Sequence, residues 1–273
     1  MNEFVDPCDF IVTKEHRRFI EFCDACRKYR YIGLCYGSPG VGKTVSARTY
    51  ARQNLVEDLL TNCRMLDLPI VREILTCSTV FYTPAVANTP GRMEKEVSGA
   101  RKQLGDLHYW MHSAIEKKAI HSFPRGTPDV ADLIIIDEAD RLKAVGLEQM
   151  RDIYDRGQIG MVFIGMPGIE KRLSRYAQLY SRVGFVHHFK PLESEEIQFV
   201  LQHKWQQLGL KLDLSDFSDA ESVTAITRIT NGNFRLVQRL LSQVERVLQI
   251  NELRFITKEV VETAREMLII GRS

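Results

Sequence analysis

The sequence predicts an α/β fold in which a five-stranded parallel sheet with helices on both faces is followed by a smaller helical domain. The first sign is a short apolar segment, 31–36, that runs directly into the glycine-rich stretch Gly37–Thr44. The second is Leu133–Ile136, which is hydrophobic without alternation, as in a parallel strand covered on both faces. The third is the exclusively helical periodicity of the chain from about Ser194 onward. These patterns predict an αβα core over residues 1–190 and a helical lid over 191–273.

The predicted elements follow the chain in alternation, as parallel sheets require. Strands are expected at 31–36, 79–83, 133–136, 160–166 and 185–189. Core helices are expected at 14–28, 44 to about 54, 56–75 with a break at Pro69, 92 to about 120, and 169–180. Lid helices are expected at 194–208, 220–230, 233–250 and 257–269. Loops are expected at 84–91 and 121–129, where prolines interrupt the pattern.

Length and net charge limit the number of domains and the kinds of partner that the chain can have. A chain of 273 residues is long enough for one α/β core and an appended domain. A net charge of +2 neither requires nor excludes a nucleic acid partner, so DNA affinity would depend on a local patch. No apolar run approaches the length of a membrane span and the N-terminus lacks signal-peptide features, so we expect a cytoplasmic protein without membrane contact. The pair Cys23-x-x-Cys26 lies in a predicted helix and is interpreted as core packing.

The stretch Gly37–Thr44 fits G-x-x-x-x-G-K-[ST], the phosphate-binding loop. Its glycines permit backbone conformations that let successive N–H groups converge on phosphate oxygens. Lys43 adds a positive charge for the β- and γ-phosphates, and the Thr44 hydroxyl is a ligand for Mg²⁺. We therefore expect ATP and Mg²⁺ as cofactors. The residues expected to contact the nucleotide are Ser38, Pro39, Gly40, Val41, Gly42, Lys43, Thr44 and Val45.

An acidic pair follows the apolar strand Leu133–Ile136. Asp137 and Glu138 lie where this strand leaves the sheet, at the edge where open α/β sheets bind their ligands. Asp137 is expected to hold Mg²⁺ together with Thr44, and Glu138 to activate the attacking water. The pair thus predicts an ATPase.

Two arginines extend the pattern to a known family. Ser181-Arg182 precedes the last core strand, and Gly232-Asn233-Phe234-Arg235 opens a lid helix. With the βα units and the helical lid, these motifs resemble those of AAA+ ATPases. The resemblance implies that Arg182 reaches the γ-phosphate bound by a neighbouring subunit and that Arg235 contacts phosphate within its own chain. Arginine suits both tasks because its charge is permanent and its fork can donate two hydrogen bonds to phosphate.

One position departs from that family. At the end of the fourth strand AAA+ proteins usually carry a polar residue that holds the attacking water, but here the position falls on Met166. A thioether is a poor hydrogen-bond partner. Either another group orients the water, or hydrolysis is slow and the protein works more as a nucleotide switch.

Within AAA+ proteins the chain resembles the transposition regulators of the TnsC, TniB and MuB family. The resemblance rests on the single-module length, the run Leu133–Leu142 and the stretch Gly165–Leu173 before Ser181-Arg182. It implies a prokaryotic, DNA-associated protein that binds duplex DNA without sequence specificity when loaded with ATP. It further implies self-assembly into a ring or helical filament, and recruitment or activation of a transposase with its target-selection proteins.

Such a protein needs basic or polar groups facing DNA phosphates, which carry no sequence code. The expected DNA-contacting residues lie mainly on the loop after the second strand and the helix that follows it: Thr89, Arg92, Lys95, Arg101, Lys102, Lys117, Lys118 and Arg125.

Two alternative functions stay open. One is a replication initiator or helicase loader, for which the segment before Thr13 is expected to be too short to carry a helicase-binding extension. The other is a nucleotide-gated scaffold without a DNA role, which the near-neutral charge favours.

Overall fold

The computed structural model describes residues 10–62, 68–116, 126–207, 209–210 and 212–268. The chain divides into two compact units. The core unit comprises Arg18–Gly37 and Lys43–Phe189. The helical unit comprises the described parts of Met1–Arg17, Ser38–Gly42 and Lys190–Ser273.

The core unit is built on five parallel strands. They are β1 (Ile32–Tyr36), β2 (Thr79–Tyr82), β3 (Leu133–Ile136), β4 (Gly160–Gly165) and β5 (Val183–His188). Their order across the sheet is β2-β3-β4-β1-β5, and every neighbouring pair is parallel. All carboxyl ends therefore meet at one edge, which brings the residues after β1 and β3 to the same side of the sheet.

Helices connect the strands. In the core unit these are α2 (Lys43–Tyr50), α3 (Gln53–Asn62), α4 (Leu68–Leu75), α5 (Pro90–Ile115), α6 (Ala144–Gly157), α7 (Ile169–Leu173) and α8 (Ala177–Tyr180). A 3₁₀ turn spans Ala139–Arg141. The residues of α1 (Lys14–Tyr29) divide between the two units. The helical unit holds α9 (Ser194–Gln207), α10 (Phe217–Thr230), α11 (Phe234–Ile250) and α12 (Lys258–Glu266).

Each unit has its own hydrophobic core. In the core unit every residue of β3 and β4 is buried, because helices cover both faces of the sheet. In the helical unit α11 buries Val237, Leu240, Leu241, Val244, Val247 and Leu248 along one stripe at helical spacing, against Trp205 and other apolar side chains. The predicted α/β fold with a five-stranded parallel sheet is confirmed.

Several helix boundaries differ from the prediction. Pro69 does not break a helix but lies in the first turn of α4, where its missing N–H has no helical partner to lose. The boundary predicted between the helices 44–54 and 56–75 comes slightly earlier, at Arg52, which takes a left-handed backbone (φ 48°) between α2 and α3. α3 ends at Asn62 and α4 begins at Leu68, and residues 63–67 lie outside the described residues. The predicted helix 169–180 is two short helices, α7 and α8. No element is predicted from the sequence over residues 141–159, where the structure has α6.

The four cysteines within the described residues are buried in the core unit: Cys23, Cys26, Cys35 and Cys77. Cys26 packs on β1, where a side chain at Gly33 would collide with its sulfur. Burial raises the pKa of Cys26 to about 12 and raises the pKa of Cys23 and Cys77 as well. Among the described residues, no helix combines the length and the apolar character needed to cross a membrane.

Candidate nucleotide site

The glycine-rich loop has the backbone that its sequence predicts. Gly40 and Gly42 have φ of 81° and 112°, values that side chains disfavour. Lys43 begins α2, and its Nζ donates to the carbonyl oxygen of Gly37 at 2.6 Å. The lysine side chain is thus held at the first residue of the glycine-rich stretch, within the core unit. Lys43 also begins α2, and a helix amino end favours anions.

A buried carboxylate lies next to the Thr44 hydroxyl in the core unit. Asp137 follows β3, is only 3% exposed, and accepts a hydrogen bond from Thr44 and another from the Glu138 N–H at 2.9 Å. Burial raises the pKa of this carboxyl group, and the bonds from Thr44 and Glu138 oppose that rise. The positive charge of Lys43 opposes it as well.

These two oxygens suit Mg²⁺. A hard cation that prefers oxygen would compensate the buried charge of Asp137, with Thr44 as the neighbouring ligand. No cluster of three or more His, Cys, Asp or Glu side chains able to hold a metal occurs among the described residues. Mg²⁺ does not require one, because it is usually held by one or two protein oxygens together with phosphate and water.

Glu138 has a left-handed backbone (φ 50°, ψ 43°), which is uncommon for a residue with a side chain. Its carboxylate is more than half exposed and pairs with Arg141, Oε2 to Nη2, at 2.8 Å. The side chain therefore stands at the sheet edge beside Asp137 but is engaged with an arginine. Arg141 is absent from the set of site residues predicted from the sequence.

Met166 directly follows β4, as predicted, and is 40% exposed. Its N–H donates to Oδ2 of Asp140 at 2.7 Å. Arg172 on α7 donates to the backbone oxygens of Asp140 and Leu142. The end of β4 is thus joined to the turn after β3 by a carboxylate rather than by a polar side chain at position 166.

Arg182 lies between α8 and β5 and makes a two-pronged ion pair within its own chain. Its Nε lies 2.5 Å from Oδ1 of Asp155, its Nη2 lies 2.8 Å from Oδ2, and Nη1 donates to the Gln178 carbonyl oxygen. Asp155 also pairs with Arg151 on the same helix, α6. The Arg182 side chain remains 30% exposed. Asp155 was not predicted, because α6 itself was not.

In the helical unit the segment Ser38–Gly42 contacts the start of α11. Asn233 caps this helix by accepting from the Leu236 N–H, and its Nδ2 donates to the Pro39 carbonyl oxygen at 2.9 Å. The Arg235 N–H donates to the Gly40 carbonyl oxygen at 2.9 Å, and the Arg235 side chain is exposed. A side chain at Gly40 would meet Oδ1 of Asn233 at 2.5 Å. The sequence does not reveal the contact between Asn233 and the loop. Its N-cap role, in contrast, is common for asparagine.

The residues predicted to contact DNA differ in their exposure and in their ion pairs. Thr89 and Lys95 are exposed at the start of α5, and Arg92 pairs with Glu96 at 2.6 Å. Arg101 pairs with Asp129, and Lys102 pairs with Asp106 at 2.6 Å. Lys117, Lys118 and Arg125 lie outside the described residues. The loop before α5 also presents Val86, which is 80% exposed.

Comparison with known proteins gives one family and several relatives. The AAA domain family matches residues 26–173, more than half of the chain. A Staphylococcus aureus protein named "Potential ATP-binding protein" is 49% identical over 96% of this chain and 97% of its own length. The "ATP-dependent target DNA activator B" of Escherichia phage Mu is 25% identical, over 86% of this chain and 68% of its own.

Among solved structures, the RuvB Holliday junction branch migration motor of Thermotoga maritima superposes with a TM-score of 0.60. The alignment covers 95% of this chain and 70% of that one, at 18% identity, which shows a shared fold. The resemblance drawn from the phosphate loop, the acidic pair and the two arginines is confirmed at the level of the family. The chain belongs to the AAA family of ATP-binding proteins, and its relatives include the MuB-type proteins that its motifs resemble.

Proposed function

We propose that this protein hydrolyses ATP, assembles with copies of itself on duplex DNA when ATP is bound, and regulates transposition by bringing a transposase to its target. Residues 1–190 would form the nucleotide-binding core and residues 191–273 the lid. The observation that carries the ATPase part is the adjacency of Thr44, Asp137 and Glu138 at one edge of the sheet. The transposition part is supported by the relative from phage Mu, whose name describes ATP-dependent activation of target DNA.

The chemistry assigns one task to each residue. The N–H groups of the loop 38–42, apart from Pro39, which has none, and the Lys43 ammonium would bind the phosphates, while Thr44 and Asp137 would hold Mg²⁺. When bound, the metal neutralises charge that develops on the transferred phosphate. Glu138 accepts the proton of the attacking water. Arg235 would contact phosphate from the same chain and Arg182 phosphate on a neighbouring chain.

DNA binding would be non-specific and electrostatic, with Thr89, Arg92 and Lys95 as the first candidates. Each subunit would contribute few phosphate contacts. Affinity would then depend on assembly, because linked subunits add their contacts along one duplex. The proposal therefore makes DNA binding depend on ATP and fall steeply with salt.

The test measures nucleotide binding, ATP hydrolysis and DNA binding in three proteins: the parent, Lys43→Ala and Glu138→Gln. Lys43→Ala should lose ATP binding, because the phosphates lose their main counter-charge. Glu138→Gln should bind ATP but hydrolyse it about 100-fold or more slowly, because general-base catalysis is worth at least that much. It should also hold DNA for longer.

Retained ATP affinity in Lys43→Ala would contradict the proposed nucleotide site, and hydrolysis at the parental rate in Glu138→Gln would rule out Glu138 as the base.

A second candidate function, a nucleotide-gated scaffold without DNA, is favoured by the acidic partners of Arg92, Arg101 and Lys102. It predicts ATP-dependent assembly with no salt-sensitive DNA binding, whether ATP or a non-hydrolysable analogue is present.

A further inference from the structure

The helical unit carries a groove on its surface, between α9 and the segment 212–215 that precedes α10. Its volume is about 480 Å³, within the range of roughly 300–1,000 Å³ that is typical of binding pockets. The residues that line it all belong to the helical unit: Glu195, Gln198, Phe199, Gln202, Leu212, Asp213, Leu214 and Ser215. The groove is therefore formed within one compact unit of a single chain.

Apolar side chains along this groove are open to solvent. The inner face of α9 packs into the core of the helical unit through Ile197, Val200, Leu201 and Trp205. Phe199 lies on the opposite face of the same helix and is 55% exposed, and Leu214 on the other wall is 49% exposed. Phe217, two residues beyond the groove segment, is 77% exposed. Apolar surface grouped in this way favours a partner that covers it.

Hydrogen bonds hold the wall that carries Leu214. Oδ1 of Asp213 accepts from the N–H of Ser215 at 2.9 Å and from its hydroxyl at 2.7 Å. Oδ2 of Asp219 accepts from the Asp213 N–H at 2.8 Å, and Asp216 caps α10 by accepting from two N–H groups of its first turn. A wall that is ordered before binding loses little conformational freedom when a partner binds.

The charge at the groove is negative. Glu195 and Asp213 line it, and no basic side chain is among the described residues that do so. Asp216 and Asp219 add two carboxylates beside it, and neither makes an ion pair within the described part of the chain. Glu195 pairs with Lys14 at 3.1 Å, but both side chains are more than half exposed, so this pair is weak. An apolar groove with carboxylates along it is complementary to a segment that is apolar and basic, and it repels nucleic acid phosphates.

We propose that this groove docks a short amphipathic segment of a partner protein. Aliphatic or aromatic side chains of the segment cover Phe199 and Leu214, and its lysine or arginine side chains pair with Glu195 and Asp213. Helices that bind in grooves use this pattern, with apolar anchors at helical spacing. The proposed function requires contact with a transposase, and the groove assigns that contact to the helical unit. Only the identity of the partner rests on the proposed function; the chemistry of the groove does not.

The first experiment measures peptide binding to the full chain by fluorescence anisotropy, without nucleotide or DNA. The labelled peptide carries leucine at every third or fourth position and lysine or arginine between the leucines. Two control peptides replace the leucines by serine or the basic residues by glutamine. The parent should bind the first peptide with micromolar affinity and both controls about tenfold or more weakly, because each control lacks one of the two complementary features. Equal binding of the three peptides, or no binding of the first, overturns the proposal.

The second experiment locates the binding site. Phe199→Ser and Leu214→Ser should each weaken binding of the first peptide about tenfold, because each removes apolar surface that the peptide covers. Both side chains are about half exposed, so the variants should keep the parental circular dichroism. Ile250→Ser is the matched control, since Ile250 is an apolar residue of the helical unit that is 66% exposed and does not line the groove. Equal weakening in all three variants, or in none, overturns the proposal.

Glu195→Gln tests the electrostatic part. Binding of the basic peptide should weaken several-fold and should depend less on salt, because one carboxylate at the groove is lost. Glu221→Gln is the control, since Glu221 makes an exposed ion pair with Lys258 at 3.5 Å in the same unit. Unchanged affinity and salt dependence in Glu195→Gln overturn the charge pairing. Because neither ATP nor DNA takes part, these measurements decide on the groove even if Lys43→Ala retains ATP affinity and the proposed function fails.

Discussion

Asp137 combines burial with a charge that the ligand-free chain compensates only in part. Burial raises its pKa, so the folded state binds the proton more readily than the unfolded chain does. This contribution to stability is full below the unfolded-state pKa and is lost as pH rises through the raised pKa. At neutral pH the ionised carboxylate therefore opposes folding until a cation binds it. The carboxylate that lowers the stability of the ligand-free protein thus also favours Mg²⁺ binding.

We predict that Asp137→Asn is at least as heat-stable as the parent at neutral pH when no nucleotide is present. With saturating Mg²⁺ and ATP the parent should gain on the order of 5 °C or more in Tm, and the variant much less. Because the ligand must be deprotonated, the gain in the parent should shrink as pH falls through the raised pKa. Differential scanning fluorimetry over a pH series measures both effects.

Asp152→Asn is the control, because Asp152 pairs with Arg156 in an exposed position on α6. It should lose little stability, and its gain with Mg²⁺ and ATP should equal that of the parent. An Asp137→Asn protein that is less stable than the parent yet gains as much from Mg²⁺ and ATP would show that Asp137 is not a metal ligand.

At the scale of elements, the glycine loop and the cap of α11 act together. Asn233 uses its two amide atoms for two purposes, Oδ1 for the helix N-cap and Nδ2 for the Pro39 carbonyl oxygen. The loop backbone at Gly40 approaches the same side chain so closely that any Cβ would collide with it. One residue therefore both begins a helix and shapes part of the phosphate loop.

Two variants, Asn233→Ala and Asn233→Ser, separate the N-cap from the contact with Pro39. Alanine removes both contacts and should lower stability by about 1 kcal/mol, whereas serine keeps an N-cap acceptor and should stay near the parent. Both variants lose the donor to Pro39, so both should bind ATP more weakly. Thermal denaturation and calorimetric titration with ATP give the two values. If Asn233→Ser bound ATP as tightly as the parent, the contact with Pro39 would have no influence on the nucleotide site.

The elements also show how far sequence reasoning reaches. All five strands were predicted within a few residues, because runs such as Leu133–Ile136 are buried on both faces and carry a strong local signal. α6 was missed, although Leu147, Met150 and Ile153 recur at helical spacing. The break between α7 and α8 contains neither glycine nor proline, so the local sequence gives no warning of it. In such places tertiary contacts outweigh local preference.

The candidate site likewise contains residues that the sequence reveals and residues that it does not. Lys43, Thr44, Asp137 and Glu138 could be found because a short motif fixes each of them relative to a strand end. Arg141, Asp155 and Asn233 stand out only by their contacts with residues at least three positions away, and Asn233 by its contact with Pro39, 194 positions away. Their types are common on any surface, so only coordinates distinguish them from solvated side chains.

At the scale of the whole molecule, Arg182 bears on whether one chain completes its own site. The guanidinium of Arg182 is held by Asp155, so it has a defined orientation within the chain, and the side chain is still partly exposed. Arginine in a bidentate pair is pre-organised, and less side-chain freedom is lost when it meets phosphate. We propose, from the family resemblance, that this residue reaches a neighbour's nucleotide, and assembly and hydrolysis would then depend on the same contact.

We predict that Arg182→Ala stays folded and still binds ATP but loses ATP-driven assembly. Its hydrolysis should fall on the order of 10³-fold, the scale of an arginine that completes a phosphoryl-transfer site. Mixing it with Lys43→Ala should restore part of the activity, because a mixed interface can pair one intact phosphate loop with one intact arginine. Light scattering and phosphate release are measured for each protein alone and for the mixture.

Arg175→Ala is the matched control, an exposed arginine just before α8 that should leave assembly and hydrolysis unchanged. No recovery on mixing, together with normal assembly of Arg182→Ala on DNA, would remove the proposed role between subunits. Recovery would support it and would set the minimal active species at two chains.

The buried cysteines make this chain convenient for site-directed labelling. Maleimide and related reagents attack the thiolate, and burial together with raised pKa values keeps Cys23, Cys26 and Cys77 in the unreactive thiol form. Once Cys8 and Cys63, which lie outside the described residues, are replaced by serine, a cysteine introduced in place of Val86 becomes the preferred attachment point. A fluorophore there would report on the surroundings of the loop between β2 and α5 in real time, as DNA and ATP are added, with the native core thiols left in place.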